Sequence, residues 1–246
     1  MELGLEGRLC VVTGGSRGIG AASARMLAAE GARPLTVARS SADIELDLTA
    51  PDAGERLLAA CPEPPWALVN NAATTGTRTI EELTDADWNE QWELHVMAAM
   101  RVMKAFAPAM ADAGGGRIVN VSSSSGRRPS QTLDPAYSVT KAAQLSLSRL
   151  FAERWAARGV LVNAVLPGAT DTPLWLGEGG LADQVAERTG RSREEVLEST
   201  HAKSLTGRMG HDEEIAAVVV FLCSEQASNV VGAAWSVDGG TTQAIF

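Results

Sequence analysis

One tyrosine and three cysteines are what this sequence has least of. Aromatic residues make up 4% of its 246 positions, and Tyr137 is the single tyrosine beside six tryptophans and four phenylalanines. Cys10, Cys61 and Cys223 stand far apart, with no histidines at metal-ligand spacing, so no zinc site is expected. They read as buried free thiols in a reducing compartment, which points to the cytoplasm. Positive charge is short as well: 21 Lys+Arg against 30 Asp+Glu leave a formal charge of −9. That argues against a broad basic face for duplex nucleic acid or an anionic membrane. No apolar run has the length of a membrane span, and no basic stretch followed by a signal-like apolar segment opens the sequence. At 45% hydrophobic and 21% charged residues, the chain has the material for a substantial core.

What is present is an alternation of short apolar runs with helical patterns. Leu9-Cys10-Val11-Val12-Thr13 reads as a buried strand that enters Gly14-Gly15-Ser16-Arg17-Gly18-Ile19-Gly20 and then an Ala-rich helix reaching about Glu30. Gly31 supplies the stop, and residues 34–38 form the next strand. Further strands are expected at 66–69, 117–121, 160–165 and 234–237, with helices at 87–111, 138–157 and 213–223. Runs apolar on both faces, joined by crossovers, predict an α/β fold: a Rossmann-like, doubly wound parallel sheet with helices on both faces, in a single domain spanning 1–246. Between Ala38 and the segment 44–48 there is too little chain for a crossover helix, so the third strand is displaced or a nonhelical loop joins it. The long polar stretch 172–209, with short helices near 181–188 and 193–202, reads as an active-site cover or as ordinary surface packing.

Glycines turn tightly and let backbone amides approach an anion, and Gly14, Gly18 and Gly20 do so just before a helix whose N-terminus favours phosphate. Their spacing is neither GxGxxG nor GxxxxGK[ST], so by itself the loop reads either as a nucleotide cradle or as a structural turn. Tyr137-Ser138-Val139-Thr140-Lys141 places a phenol and an ammonium on one helix face, one turn apart. By itself such a pair reads as a surface or packing feature; a nearby ammonium also favours the phenolate, which would fit Tyr137 to give or take a proton.

These segments together resemble the short-chain dehydrogenase/reductase family. The glycine loop, Asn70-Asn71-Ala72-Ala73, the Ser123/Tyr137/Lys141 group, Pro167-Gly168 and Val237-Asp238-Gly239-Gly240 follow in that family's order over nearly the whole chain. The resemblance implies a nicotinamide cofactor held by Gly14, Ser16, Arg17, Gly18, Ile19 and Gly20. It implies Asp47 and Leu48 at the adenine, and Asn70 and Ala72 beneath the cofactor. Tyr137 and Lys141 would contact the cofactor, Lys141 at the nicotinamide ribose, with Pro167, Gly168 and Thr170 in the segment beside the nicotinamide and its carboxamide and Thr172 near the diphosphate. Ala38 falls where relatives that prefer NAD place Asp, and Arg39-Ser40 follow, so NADP(H) is favoured with NAD(H) as runner-up.

The family also implies a serine that orients the substrate oxygen. Strand-end anchoring selects Ser123, whereas the usual separation from the tyrosine selects Ser124. His95 stands where relatives carry a catalytic Asn that helps hold a water linking Lys to solvent. The readings are a modified relay through His95 or a satisfied core histidine, with Glu93 or a backbone carbonyl holding that water instead. Leu174, Trp175 and Leu176 would line an apolar mouth, while His201 and His211 receive no role. The activity implied is interconversion of a carbonyl and a secondary alcohol by hydride transfer, without a metal. General resemblance to 3-oxoacyl-carrier-protein reductases suggests a 3-oxoacyl thioester. The short connection after Arg39 suggests a dehydrogenase of a small cyclic alcohol or diol, and His95 keeps open a noncatalytic nucleotide-binding scaffold. A homotetramer is implied, with neither nucleic acid nor membrane as partner.

Overall fold

A computed structural model describes residues 2–243. The strands are β1 (Leu9–Thr13), β2 (Arg33–Ala38), β3 (Ile44–Glu45), β4 (Ala67–Asn70), β5 (Gly116–Val121), β6 (Val160–Pro167), β7 (Thr170–Asp171), β8 (Gly210–His211) and β9 (Ala234–Val237). The α-helices are α1 (Gly18–Ala29), α2 (Ala53–Ala60), α3 (Asp85–Trp92), α4 (Ala98–Asp112), α5 (Pro135–Trp155), α6 (Pro173–Leu176), α7 (Leu181–Thr189), α8 (Arg193–His201) and α9 (Asp212–Cys223).

Val, Leu and Ile dominate β1, β4 and β5, whose residues are buried throughout, as strands covered on both faces must be. They centre a seven-stranded sheet of order β3-β2-β1-β4-β5-β6-β9 in which every adjacent pair is parallel. One core cluster joins α1 and α9 to one face of this sheet, through Leu27, Ile215 and Val219. A second joins α2, α4 and α5 to the other, through Leu57, Phe106 and Ala152. The order reverses between β1 and β4, which opens a crevice beyond their carboxyl ends; doubly wound sheets bind ligands there.

The short interval after β2 is settled as a nonhelical loop. Residues 39–43 turn without a helix, with Ser41 at φ 57°, and β3 then pairs beside β2. Asp43 pins the turn by accepting from the backbone N–H and the hydroxyl of Thr36, at 2.8 and 2.6 Å. Helix α2 was not expected from the sequence. Gly54 seats it on α4, since a Cβ there would lie 2.3 Å from the carbonyl oxygen of Arg101. The helix expected at 87–111 is also longer and not uniform: α3 and α4 are continuous through a π-helical turn, Glu93–Met97, that carries His95. No helix among the described residues is long and apolar enough to cross a membrane.

Candidate functional site

The carboxyl ends of the strands open into one cavity of about 1210 Å³, above the roughly 300–1,000 Å³ of a typical small-molecule pocket. At one end β1 delivers the chain into the glycine loop, where Gly14 at φ 62° and Gly18 at φ 54° make the turn. Arg17 precedes α1 without capping it, and the helix has no acidic residue in its first turn, so its amides are left to an anion. Gly20 faces inward rather than into the cavity: a Cβ would sit 2.2 Å from the Gly14 carbonyl oxygen. Asn71, which the sequence reading passed over as an individual residue, fixes this corner by donating through Nδ2 to the carbonyls of Thr13 and Gly14.

Gly14, Ser16, Arg17, Gly18 and Ile19 line the cavity, as do Arg39, Ser40, Asp47 and Leu48 from the β2 and β3 ends. Thr49 donates to Asp47 through its amide at 3.0 Å and its hydroxyl at 2.8 Å, and these bonds hold the carboxyl below its ordinary range, with Arg39 adding to the effect. Ala72, Pro167, Gly168, Thr170 and Thr172 complete the lining, with Thr172 beside Gly18. Asn70 is turned into the sheet instead, donating to Asn120 Oδ1 at 2.8 Å, and supports the site from behind.

Ser123, Tyr137 and Lys141 meet in the same cavity. Ser123 lies two residues beyond β5 and caps the short turn that follows, its hydroxyl accepting from the Ser125 amide at 3.1 Å. Burial raises the pKa of the Tyr137 phenol and the Ser123 hydroxyl beside it acts the other way, which makes Ser123 the serine adjoining the phenol. Ser124 lines the cavity at the start of a 3₁₀ turn. The Lys141 ammonium lies 5.7 Å from the Tyr137 ring centre. It donates to the Val121 carbonyl at 2.8 Å and to Gln144 Oε1 at 3.2 Å. Burial pulls its pKa down to about 7.

His95 does not line the cavity. Its Nε2 accepts from the Thr74 amide at 3.0 Å and its Nδ1 meets the Thr140 hydroxyl at 2.9 Å. That hydroxyl has its hydrogen directed to the carbonyls of Ala136 and Tyr137 at 2.9 and 3.0 Å. Nδ1 therefore carries the ring proton and donates it to Thr140. Burial and the neighbouring Lys141 hold the imidazole well below its ordinary pKa, so it is neutral. With both nitrogens used inside the chain, the ring is seated as a satisfied core histidine. Glu93 is ion-paired to Arg101 at 2.8 Å.

A buried acid braces the same helix from its start. Asp134 is fully buried and accepts from the Arg78 amide and guanidinium at 2.7 and 3.1 Å and from Gln91 Nε2 at 2.9 Å. This ties the loop after β4 to the first turn of α5, one turn before Tyr137. Arg188 of α7 donates to the Thr77 carbonyl of that loop.

The segment 172–209 forms α6, α7 and α8, and Leu174, Trp175, Leu181, Thr200 and Lys203 from it line the cavity. Leu176 does not; its carbonyl accepts from Arg193. Thr241 and Thr242 also enter the lining, because Asp238 caps the turn before them by accepting from the Gly240 and Thr242 amides at 3.0 and 2.9 Å. The threonine pair after Val237-Asp238-Gly239-Gly240 was the available signal for these two residues; Arg128 and Lys203 carried none. No group of three or more His, Cys, Asp or Glu able to hold a metal occurs among the described residues.

A family model described as enoyl-(acyl carrier protein) reductase matches residues 14–242. Galactitol 2-dehydrogenase (L-tagatose-forming) of Cereibacter sphaeroides is 35% identical over 97% of this chain and 96% of its own. The 3-oxoacyl-[acyl-carrier-protein] reductase of Vibrio cholerae is 30% identical over 97% of this chain and 98% of its own. Among solved structures, L-sorbose reductase of Gluconobacter frateurii, complexed with NADPH and L-sorbose, matches with a TM-score of 0.88 at 32% identity, each chain covered over 100% of its length.

Proposed function

The chain belongs to the short-chain dehydrogenase/reductase family of NAD(P)-dependent oxidoreductases, and from that premise we propose that it interconverts a small secondary alcohol and its ketone with NADP(H). The observation that carries this reading is one continuous cavity with the glycine loop and Arg39 in its lining together with Ser123, Tyr137 and Lys141. The residues fit the cofactor: the uncapped N-terminus of α1 suits a diphosphate, and Arg17 and Arg39 suit a 2′-phosphate. When bound, the nicotinamide supplies or receives the hydride.

The chain's own residues handle the oxygen and its proton. In reduction, Ser123 donates a hydrogen bond that orients the carbonyl oxygen, and Tyr137 gives it a proton. In oxidation, Tyr137 takes the proton from the hydroxyl. Lys141 lends its positive charge to the phenolate and holds the nicotinamide ribose. Residues 172–209 cover the substrate, and the remaining cofactor contacts follow the lining: Ser16, Ile19 and Ser40 toward the nucleotide, Asp47 and Leu48 at adenine.

The rest of the lining supports a hydroxylated or cyclic small molecule, because Ser130, Gln131, Thr132, Thr200, Thr241 and Thr242 offer donors and acceptors. A 3-oxoacyl thioester is the second reading, supported by the apolar flank of Leu133, Leu174, Trp175 and Leu181. Val139 and Leu150, 49% and 63% exposed on the outer face of α5, support burial against further copies of the chain in a homotetramer. The chain's free thiols support a reducing, cytoplasmic setting.

The test follows NADPH absorbance with purified protein against L-sorbose, L-tagatose, a cyclic hydroxyketone and acetoacetyl thioester, beside the Tyr137→Phe variant. Turnover on one of these that disappears in the variant is the expected result. NADPH binding without turnover on any, unchanged by the substitution, would establish a nucleotide-binding scaffold instead.

A further inference from the structure

Lys141 is 1% exposed, and burial alone drives its pKa downward. What the ammonium has in place of a counter-ion is two protein acceptors, the Val121 carbonyl and Gln144 Oε1. The titratable groups around it are Tyr137, from its own helix, and the neutral His95, from the π-helical turn packed against α5. From β5 it meets the Val121 carbonyl, and Ser122 of the same strand end donates to the Lys141 carbonyl at 2.9 Å.

Gln144, itself only 2% exposed, follows Lys141 by three residues on α5. Its Nε2 reaches the other way and donates to the backbone carbonyl of His95 at 3.3 Å. This orientation of the amide is the only one the surroundings tolerate. Turned over, the NH₂ would face the ammonium and the oxygen would face a carbonyl, leaving two buried groups opposed. The helix turn that carries Gln144 is anchored below: Ser148 donates to the Gln144 carbonyl at 2.7 Å and Asn120 donates to Ser148 at 2.8 Å.

We infer that Gln144 is a positioning residue for Lys141, its side-chain amide tethering the ammonium to the carbonyl of residue 95 and fixing the charge that acts on the Tyr137 phenol. Residue 95 then contributes through two separate groups. Its ring secures Thr74 and Thr140, while its carbonyl steadies the lysine through Gln144. The inference rests on the proposed roles of Lys141 and Tyr137 in moving the proton. It goes beyond them in naming what keeps the lysine aimed and charged where no carboxylate does so among the described residues.

Lys104, Lys141 and Lys203 are the only lysines of the chain, so protein labelled with ¹³C at lysine Cε gives a spectrum in which Lys141 is assigned by its loss in Lys141→Met. The full chain and its Gln144→Met variant are titrated in this form. Loss of a charge-assisted acceptor lowers the Lys141 midpoint, by about one pH unit. A second variant, Gln144→Glu, keeps an acceptor and adds a negative charge, so it raises the midpoint and decides the matter should Gln144→Met fail to fold. NADP-dependent oxidation of galactitol supplies the kinetic arm: the acid limb of the Gln144→Met profile moves to higher pH, and kcat falls more than KM rises. A Lys141 midpoint unmoved in both variants overturns the tether, including in a fully active enzyme. A midpoint that moves in a protein that oxidises no alcohol supports the tether and overturns the catalytic reading.

Discussion

The ring of His95 stands edge-on to the ring of Tyr137, with centroids 5.5 Å apart and planes at 86°. Both imidazole nitrogens are engaged by Thr74 and Thr140, so the ring acts on the phenol as a wall that fixes its position. A buried imidazole held neutral has a measurable consequence for stability. In the unfolded chain it binds a proton below its ordinary value of about 6.5, whereas in the fold its pKa is well below that. The unfolded state therefore holds more protons as pH falls, and folding stability drops as pH descends from about 6.5 toward the folded value. Each pH unit in that window costs about 1.4 kcal/mol. Urea unfolding at stepped pH should show this slope in the wild type and its absence in His95→Asn; equal slopes in the two proteins would contradict it.

The sheet is legible in the sequence because strand-to-loop-to-helix transitions are local, and the Ser123/Tyr137/Lys141 cluster is legible through the family's motif order, since spacing alone leaves Ser123 and Ser124 open. What escaped was long-range. Helix α2 has a short apolar face, Ala53 and Leu57, and is seated by a glycine against a carbonyl 47 positions away in the chain, at Arg101. The roles of Asn70 and Asn71 depend on which neighbour points toward β1 and which toward β5, and alternation along a strand cannot say which face is the cavity. Gln144 has no motif around it at all. Its meaning arises only when the π-helical turn brings the His95 carbonyl to α5.

Arg39 lines the cavity at the end of β2, where no acidic residue stands to accept from a ribose diol. A guanidinium–phosphate bond is charge-assisted and contributes about 1.5–3 kcal/mol. Arg39→Ala should therefore weaken NADPH about 10- to 100-fold while leaving NADH nearly unchanged, and Arg39→Asp should invert the order of the two. Fluorescence titration of the reduced cofactors measures both. Equal losses for NADPH and NADH would mean that the arginine supports the fold and does not read the 2′-phosphate.

Arg78 spans Asp87 and the fully buried Asp134, at 2.6 and 3.1 Å, and these two acids raise its own pKa. Removing the guanidinium leaves the buried Asp134 with the Arg78 amide and Gln91 Nε2 as its donors but takes away its charged partner; because the Arg78 side chain is 42% exposed and screened by water, the loss is about 1–2 kcal/mol. Arg78→Met should unfold at correspondingly lower urea. Asp134→Asn, which keeps an acceptor for the Arg78 amide, should lose less. Because Asp134 opens the turn that carries Tyr137, Arg78→Met should also lower kcat in the protein that remains folded. A thermal or urea midpoint unchanged in Arg78→Met would count against the clamp.

Tyr137 is the chain's only tyrosine, so phenolate absorbance reports a single group. In the free protein burial holds its pKa above the ordinary value of about 10, and the absorbance should develop at higher pH than in a tyrosine-containing peptide. Adding NADP, whose nicotinamide ring is cationic, favours the phenolate and should bring the midpoint down. NADPH, whose ring is neutral, should move it less. The direction follows from charge alone: a cation stabilises the deprotonated, negative form. A midpoint indifferent to the redox state of the cofactor would separate Tyr137 from the nicotinamide, and with it the proton from the hydride.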